Sequence, residues 1–163
     1  MKAAIHLILI LALVACAKAP TMDSPIKADS AKSFLHWRAA AERNLPIEWA
    51  QELPRALDRL KANRAHAEKI SDPSGVETIF LRYIDGRTVR SVLIESLTQK
   101  LKTDYELQLG NEGSLSADYA ISVAESRIKL ERLDPQINLE PIFEAAREKD
   151  AMIRRQLESF SNR

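Results

Sequence analysis

Between Val76 and Tyr105 apolar residues recur at helical spacing through two consecutive segments, and this constrains the fold more than any other feature of the chain. Val76, Ile79, Phe80, Tyr83 and Ile84 fall at i, i+3, i+4, i+7 and i+8, the period of one helix face. They follow Ser74-Gly75-Val76-Glu77, which has the S-x-x-E form of a capping box. Beyond Asp85-Gly86, Val89, Leu93, Leu97, Leu101 and Tyr105 repeat at every fourth position. Asp-Gly between apolar runs is also a hairpin cue. Strand alternation, however, would put Leu93 and Leu97 on one face with Ser91, Glu95 and Gln99, and Ile79, Phe80 and Leu81 do not alternate at all. The pattern predicts helix on both sides, with Asp85-Gly86 either bending a helix or turning a hairpin.

The rest of the chain agrees with this reading. Only four Gly and seven Pro occur in 163 residues, too few for a turn-rich sheet, and helix-forming side chains dominate. A first helix from about Ser30 to Asn44 carries Phe34, Trp37 and Ala41 and stops before Pro46. Pro54 suits a first turn better than a helix interior, so a short piece over Ile47 to Leu53 and a longer helix from Pro54 to about Ile70 are expected, with a stripe of Leu57, Leu60, Arg64 and Ala67. Gly110-Asn111-Glu112-Gly113 reads as a turn with Gly110 as helix C-cap residue. Ser114 or Ser116 then caps a helix running to Leu133, and Asn138 caps a last one whose stripe is Ile142, Ala146, Ile153, Leu157 and Phe160. The expected fold is all-α: one domain over residues 31–163, built as an antiparallel helical bundle or as elongated helical hairpins. Its narrow stripes suit coiled-coil-like contacts, including a homo-oligomer.

The N-terminus carries a different message. Lys2 is followed by an apolar run from Ala3 to Val14 that only His6 interrupts, and then by the small residue Ala15, the three parts of a secretory signal. About a dozen apolar residues fall short of the roughly 20 that span a bilayer. The closing Leu13-Val14-Ala15-Cys16 resembles the lipobox of bacterial lipoproteins. The resemblance implies that residues 1–15 are a cleaved signal peptide, that the Cys16 thiol is diacylated, and that its new amine is acylated. Two or more acyl chains, at about 0.8 kcal/mol per buried methylene, anchor a protein stably. Ala17 in place of Asp after the cysteine implies the outer membrane, with the protein facing the periplasm. Residues 17–30 are small, polar and proline-containing with no periodic apolar face, so residues 16–30 are expected to form a lipidated, flexible tether, up to about 45 Å long at roughly 3.3 Å per residue.

Function is constrained mainly by what the chain lacks. There are 24 Lys plus Arg, one of them Lys2, against 23 Asp plus Glu; this balance argues against a nucleic-acid partner, which needs clustered positive charge. Cys16 is the single cysteine, so its lipidation removes thiol chemistry and disulfides. His36 and His66 lack a second ligand at metal spacing, and neither metal nor cofactor is expected. Ser126-Arg127-Ile128-Lys129 and Ser24-Pro25-Ile26-Lys27 both match S-x-x-K, but the S-D-N and K-T-G elements that accompany it in penicillin-binding proteins are missing. A solvated helix face is expected around Ser126. Phe34, Trp37 and Trp49, near the tether, either pack the first helix on the second or form an interaction surface. No catalytic residue is singled out. The reading is a lipid-anchored envelope protein serving as a non-enzymatic interaction, accessory or scaffold subunit, whose partner is an envelope protein or a second copy. The alternative is an envelope enzyme, or an inhibitor of a cell-wall enzyme, with a carboxylate-lined site.

Overall fold

A computed structural model describes residues 19–111 and 113–161. Among the described residues six helices follow one another: α1 Ala31–Asn44, α2 Ile47–Ala67, α3 Pro73–Ile84, α4 Val89–Gly110, α5 Gly113–Leu133 and α6 Glu140–Ser161. Among the described residues there is no strand, and a lone bridge joins Pro25 to Thr88. The expected all-α bundle is what forms. Asp85-Gly86 neither bends a helix nor turns a β-hairpin: it links two separate helices, with Gly86 at φ +74°, a left-handed conformation that glycine adopts without strain. Thr88 then caps α4, its hydroxyl accepting from the Ser91 N–H at 3.1 Å.

Helix α5 begins at Gly113, ahead of the expected caps Ser114 and Ser116, and α4 includes Gly110, with Asn111 in the C-cap place; two further boundaries are corrected. The cap of α3 is Asp72, whose carboxylate accepts the Gly75 N–H at 2.7 Å, with Pro73 in the first helical position. Ser74 instead donates its hydroxyl to Asp72, and Glu77 pairs with Lys61 of α2. A carboxylate before proline therefore displaces the serine box. The second correction is that α2 runs unbroken through Pro54. An interior proline costs about 3 kcal/mol, but Leu53, Leu57 and Leu60 on either side of it are almost fully buried. At about 1.5–3 kcal/mol each, that burial outweighs the proline.

The bundle is organised around α4, where Val89, Val92, Leu93, Ser96, Leu97 and Leu101 are all buried. Helix α5 lies antiparallel to it: Ser116 bonds back to Gln108 and Ser122 to Asp104. Helix α6 then runs parallel to α4, with Phe143 edge-on to Tyr105 at 4.8 Å and Lys149 paired with Glu106. Helix α2 also runs alongside α4, Arg59 reaching Ser96 and Asn63 reaching Gln99. Helix α3 covers α2 through Arg64, whose guanidinium lies 3.6 Å over the Tyr83 ring. This explains a charged residue on the α2 stripe, because a planar cation packs well on an aromatic face.

The expectation of a flexible tether is corrected for residues 19–30, which form a strap pinned to the helices. Ile26 and Ala28 are buried, at 1% and 3% exposure, and Met22 packs against the core. The Ile26 N–H donates to the Arg87 carbonyl at 2.7 Å, the Gly86 N–H to the Ile26 carbonyl at 2.9 Å, and the Ala28 N–H to the Asp85 carboxylate at 2.8 Å. Arg90 closes the far end: its backbone N–H meets the Met22 carbonyl, its guanidinium Asp23, and a further N–H the Leu133 carbonyl that ends α5. The strap escapes a helical-period reading because its inward residues, Ile26 and Ala28, alternate as in extended chain. Cys16, Ala17 and Lys18 lie outside the described residues, as does the whole of the expected signal peptide, residues 1–15. Ile26→Ala is expected to cost about 2–4 kcal/mol and to open the chain to trypsin at Lys27. A chemical-denaturation midpoint and a timed digest measure both effects.

Candidate functional site

A cavity of about 720 Å³ is a cleft between the strap and α1. The strap contributes Ala19, Pro20, Ser24, Pro25 and Lys27; α1 contributes Ser33, His36, Trp37, Ala40 and Asn44. Ser30 starts α1 at the right place for this, since its hydroxyl accepts the Ser33 N–H while Ser33 reaches back to the Ser30 N–H. Helical spacing then puts residues 33, 36, 37, 40 and 44 on one side. The volume lies within the range of small-molecule and lipid pockets, and such pockets are mostly apolar with a few polar groups. No carboxylate lines this one.

The three aromatic residues singled out in the sequence are not a surface. Phe34, Trp37 and Trp49 are 6%, 7% and 9% exposed, so of the two expectations for them, packing of α1 on α2 and an interaction surface, their burial agrees with the packing. Phe34 stacks on Trp37 at 6.2 Å and meets Phe80 of α3 edge-on at 6.1 Å. Trp49 makes no ring contact with either among the described residues. Of the three, Trp37 alone reaches the cleft, and its buried indole N–H has no hydrogen-bond partner, a cost of about 1–3 kcal/mol for an unsatisfied buried donor.

A second constellation lies between α2, α4 and α5. Glu52, 3% exposed, accepts from Arg59 and from Lys129, both at 2.6 Å, while Arg59 also donates to the buried Ser96 at 2.8 Å. Burial pushes the Glu52 carboxyl up, but the two hydrogen bonds and the charges behind them prevail and hold it below its usual range. The face around Ser126 is therefore not solvated as expected: Ser126 is buried and Lys129 is committed to Glu52. Nearby on the other side of α4, Glu95 is likewise held low. Burial acts against ionisation there too, and is overcome by Tyr83, Arg87 and the charge of Arg64. His66 lines a shallow groove beside this cluster, whereas His36 lines the strap cleft, so the two histidines serve different surfaces.

Sequence reasoning missed the Glu52 node, although a signal was present. Trp49, Glu52, Leu53, Ala56, Leu57 and Leu60 make one buried helical stripe, and a carboxylate inside such a stripe needs partners. Each oxygen of Glu52 accepts from a cation, an arrangement that ties α2, α4 and α5 together. Comparison with family models, curated proteins and solved structures finds no match to this chain.

The second half of α6 is the remaining feature. Ile142, Phe143 and Ala146 pack against the bundle, but Met152, Ile153, Leu157 and Phe160 are 50%, 43%, 62% and 73% exposed. α4 ends at Gly110, next to Arg154, which bonds the Leu109 carbonyl at 3.0 Å. The stripe thus outruns the helix that covers it.

Removing the Glu52 carboxylate strands two cations in the helix interface, and Glu52→Ala is expected to cost about 3 kcal/mol, the low end for breaking a buried pair. Because the folded carboxyl is held below its unfolded value of about 4.3, its contribution is complete above that pH and is lost as the pH falls through the lowered folded value. Urea midpoints measured down from pH 6 should therefore fall more steeply for the native protein than for Glu52→Gln.

Proposed function

We propose that this is a lipid-anchored protein of a bacterial cell envelope, held by acylated Cys16 at the outer membrane and facing the periplasm, where it acts as a non-enzymatic interaction or accessory subunit. The observation that carries the interaction role is the unpartnered stripe on α6. Four large apolar side chains at i, i+1, i+5 and i+8, all 43% exposed or more, form the kind of contiguous patch that marks a docking surface rather than scattered surface residues. The stripe continues the seam by which Phe143 and Ala146 already dock on α4, so it is suited to receive another helix.

Its flanks bear on the partner. Arg147, Lys149 and Arg154 near the seam are paired with Glu140, Glu106 and Asp150 of this chain, so the flanks are charge-balanced and suit either a second copy or an envelope protein's helix. The carboxylate-site alternative has less support, because the most buried carboxylate is engaged on both oxygens.

Substituting Leu157 and Phe160 by Lys is the direct test. Detergent-extracted wild type is expected to purify with a stoichiometric companion that the double variant lacks, with helicity by circular dichroism unchanged. A wild-type protein that is monomeric by light scattering and carries no stoichiometric partner would contradict the proposal.

A further inference from the structure

The strap changes where the domain must sit relative to its anchor. Residues 22–28 are fixed to the turn before α4 by three backbone–backbone hydrogen bonds, the bond from the Ala28 N–H to the Asp85 carboxylate and the Arg90–Asp23 pair, so they cannot extend. Only the six steps from Cys16 to Met22 remain, and at 3.8 Å between successive Cα atoms they span at most about 23 Å. Ala19 itself lines the strap–α1 cleft. A lipidated Cys16 therefore holds the strap within about 23 Å of the bilayer surface rather than about 45 Å above it.

The chemistry of the cleft rim fits that position. Lys27 on the strap and Lys32, His36 and Arg43 on α1 are exposed, and the last three, at i, i+4 and i+11, share one helix side. Among the described residues neither lysine forms an ion pair, and Arg43 donates only to the Ala39 carbonyl of its own helix. Acidic groups of the same segments are engaged: Asp23 by Arg90, Glu42 by Arg38, and Asp29 by the Ser33 hydroxyl. Behind the cations the cleft is lined by Pro20, Pro25, Ala40 and Trp37.

We infer that the strap–α1 cleft faces the membrane and takes a phospholipid with an anionic headgroup, its phosphate at Lys27 and its apolar part against Trp37 and the prolines, while Lys32 and Arg43, about 16 Å apart along α1, meet neighbouring anionic headgroups. The inference rests on Cys16 being the lipid anchor. Each Lys or Arg near an anionic surface contributes about fivefold in affinity, so three cations make the contact selective for acidic lipid without replacing the anchor.

The test uses the full lipidated protein carrying Trp49→Phe, which leaves Trp37 as the only tryptophan, in vesicles of phosphatidylglycerol and phosphatidylethanolamine with brominated acyl chains. Flotation and palmitate labelling report the anchor; Trp37 emission reports the cleft. Flotation with loss of most Trp37 emission is expected. The combined Lys27→Gln, Lys32→Gln and Arg43→Gln variant should float equally, keep its helicity, and regain most of the emission. Protein that floats with undiminished Trp37 emission, or with quenching that the three substitutions do not change, overturns the cleft inference and leaves the anchor standing. Protein that neither floats nor labels overturns both.

Discussion

Val89, Val92, Leu93, Leu97 and Leu101 are each between 0% and 1% exposed, and every other part of the fold depends on α4 being covered on that broad face. A helix this apolar cannot stand at a surface. It draws α2, α5 and α6 around itself, and those three determine where α1 and α3 can lie. At about 1.5–3 kcal/mol for each buried Leu or Val, its five large side chains outweigh any single polar interaction in the molecule. The polar network then chooses among packings of similar apolar area. Glu52 meets Lys129 only if α2 and α5 are in one register, and Arg90 meets both Asp23 and the Leu133 carbonyl only if the strap and the end of α5 arrive together.

The strap shows how a short irregular segment becomes part of such a core. Gly86 at positive φ presents its N–H to Ile26, and Arg87 offers the carbonyl that Ile26 needs. Two small apolar contacts, Ile26 and Ala28, then make the docking favourable in spite of the entropy of fixing the chain. The proposed anchor is thereby joined to the bundle through a stiff connection, which makes the orientation of the domain on a membrane a property of the fold.

Helix content and the α4 core were legible because a period of 3.6 survives in sequence: Val89, Leu93, Leu97 and Leu101 were named from spacing alone and all are buried. What was not legible depended on partners distant in sequence. The strap has extended-chain alternation over too few residues to stand out. Pro54 looked like a boundary because its local cost is visible and the burial that offsets it is not. Asp72 took the cap from Ser74 because proline at the first helical position favours the residue before it. The cleft could not be read at all, since Ala19 to Lys27 and Ser33 to Asn44 become two walls only after the strap folds back. The α6 stripe was read correctly as a periodic face, and its C-terminal half turned out to lack a partner because α4 is too short to cover it.

Amide hydrogen exchange on the intact chain tests the central claim most directly, that the segment from Met22 to Ala28 belongs to the core and is not a tether. The N–H groups of Ile26, Ala28, Gly86 and Arg90, which all bond across the strap contact, should be protected and should open together, separately from the exposed C-terminal half of α6. Exchange at Ile26 and Ala28 at the rate of unstructured chain, while Val92 and Leu93 stay protected, would show a free tether and contradict the account.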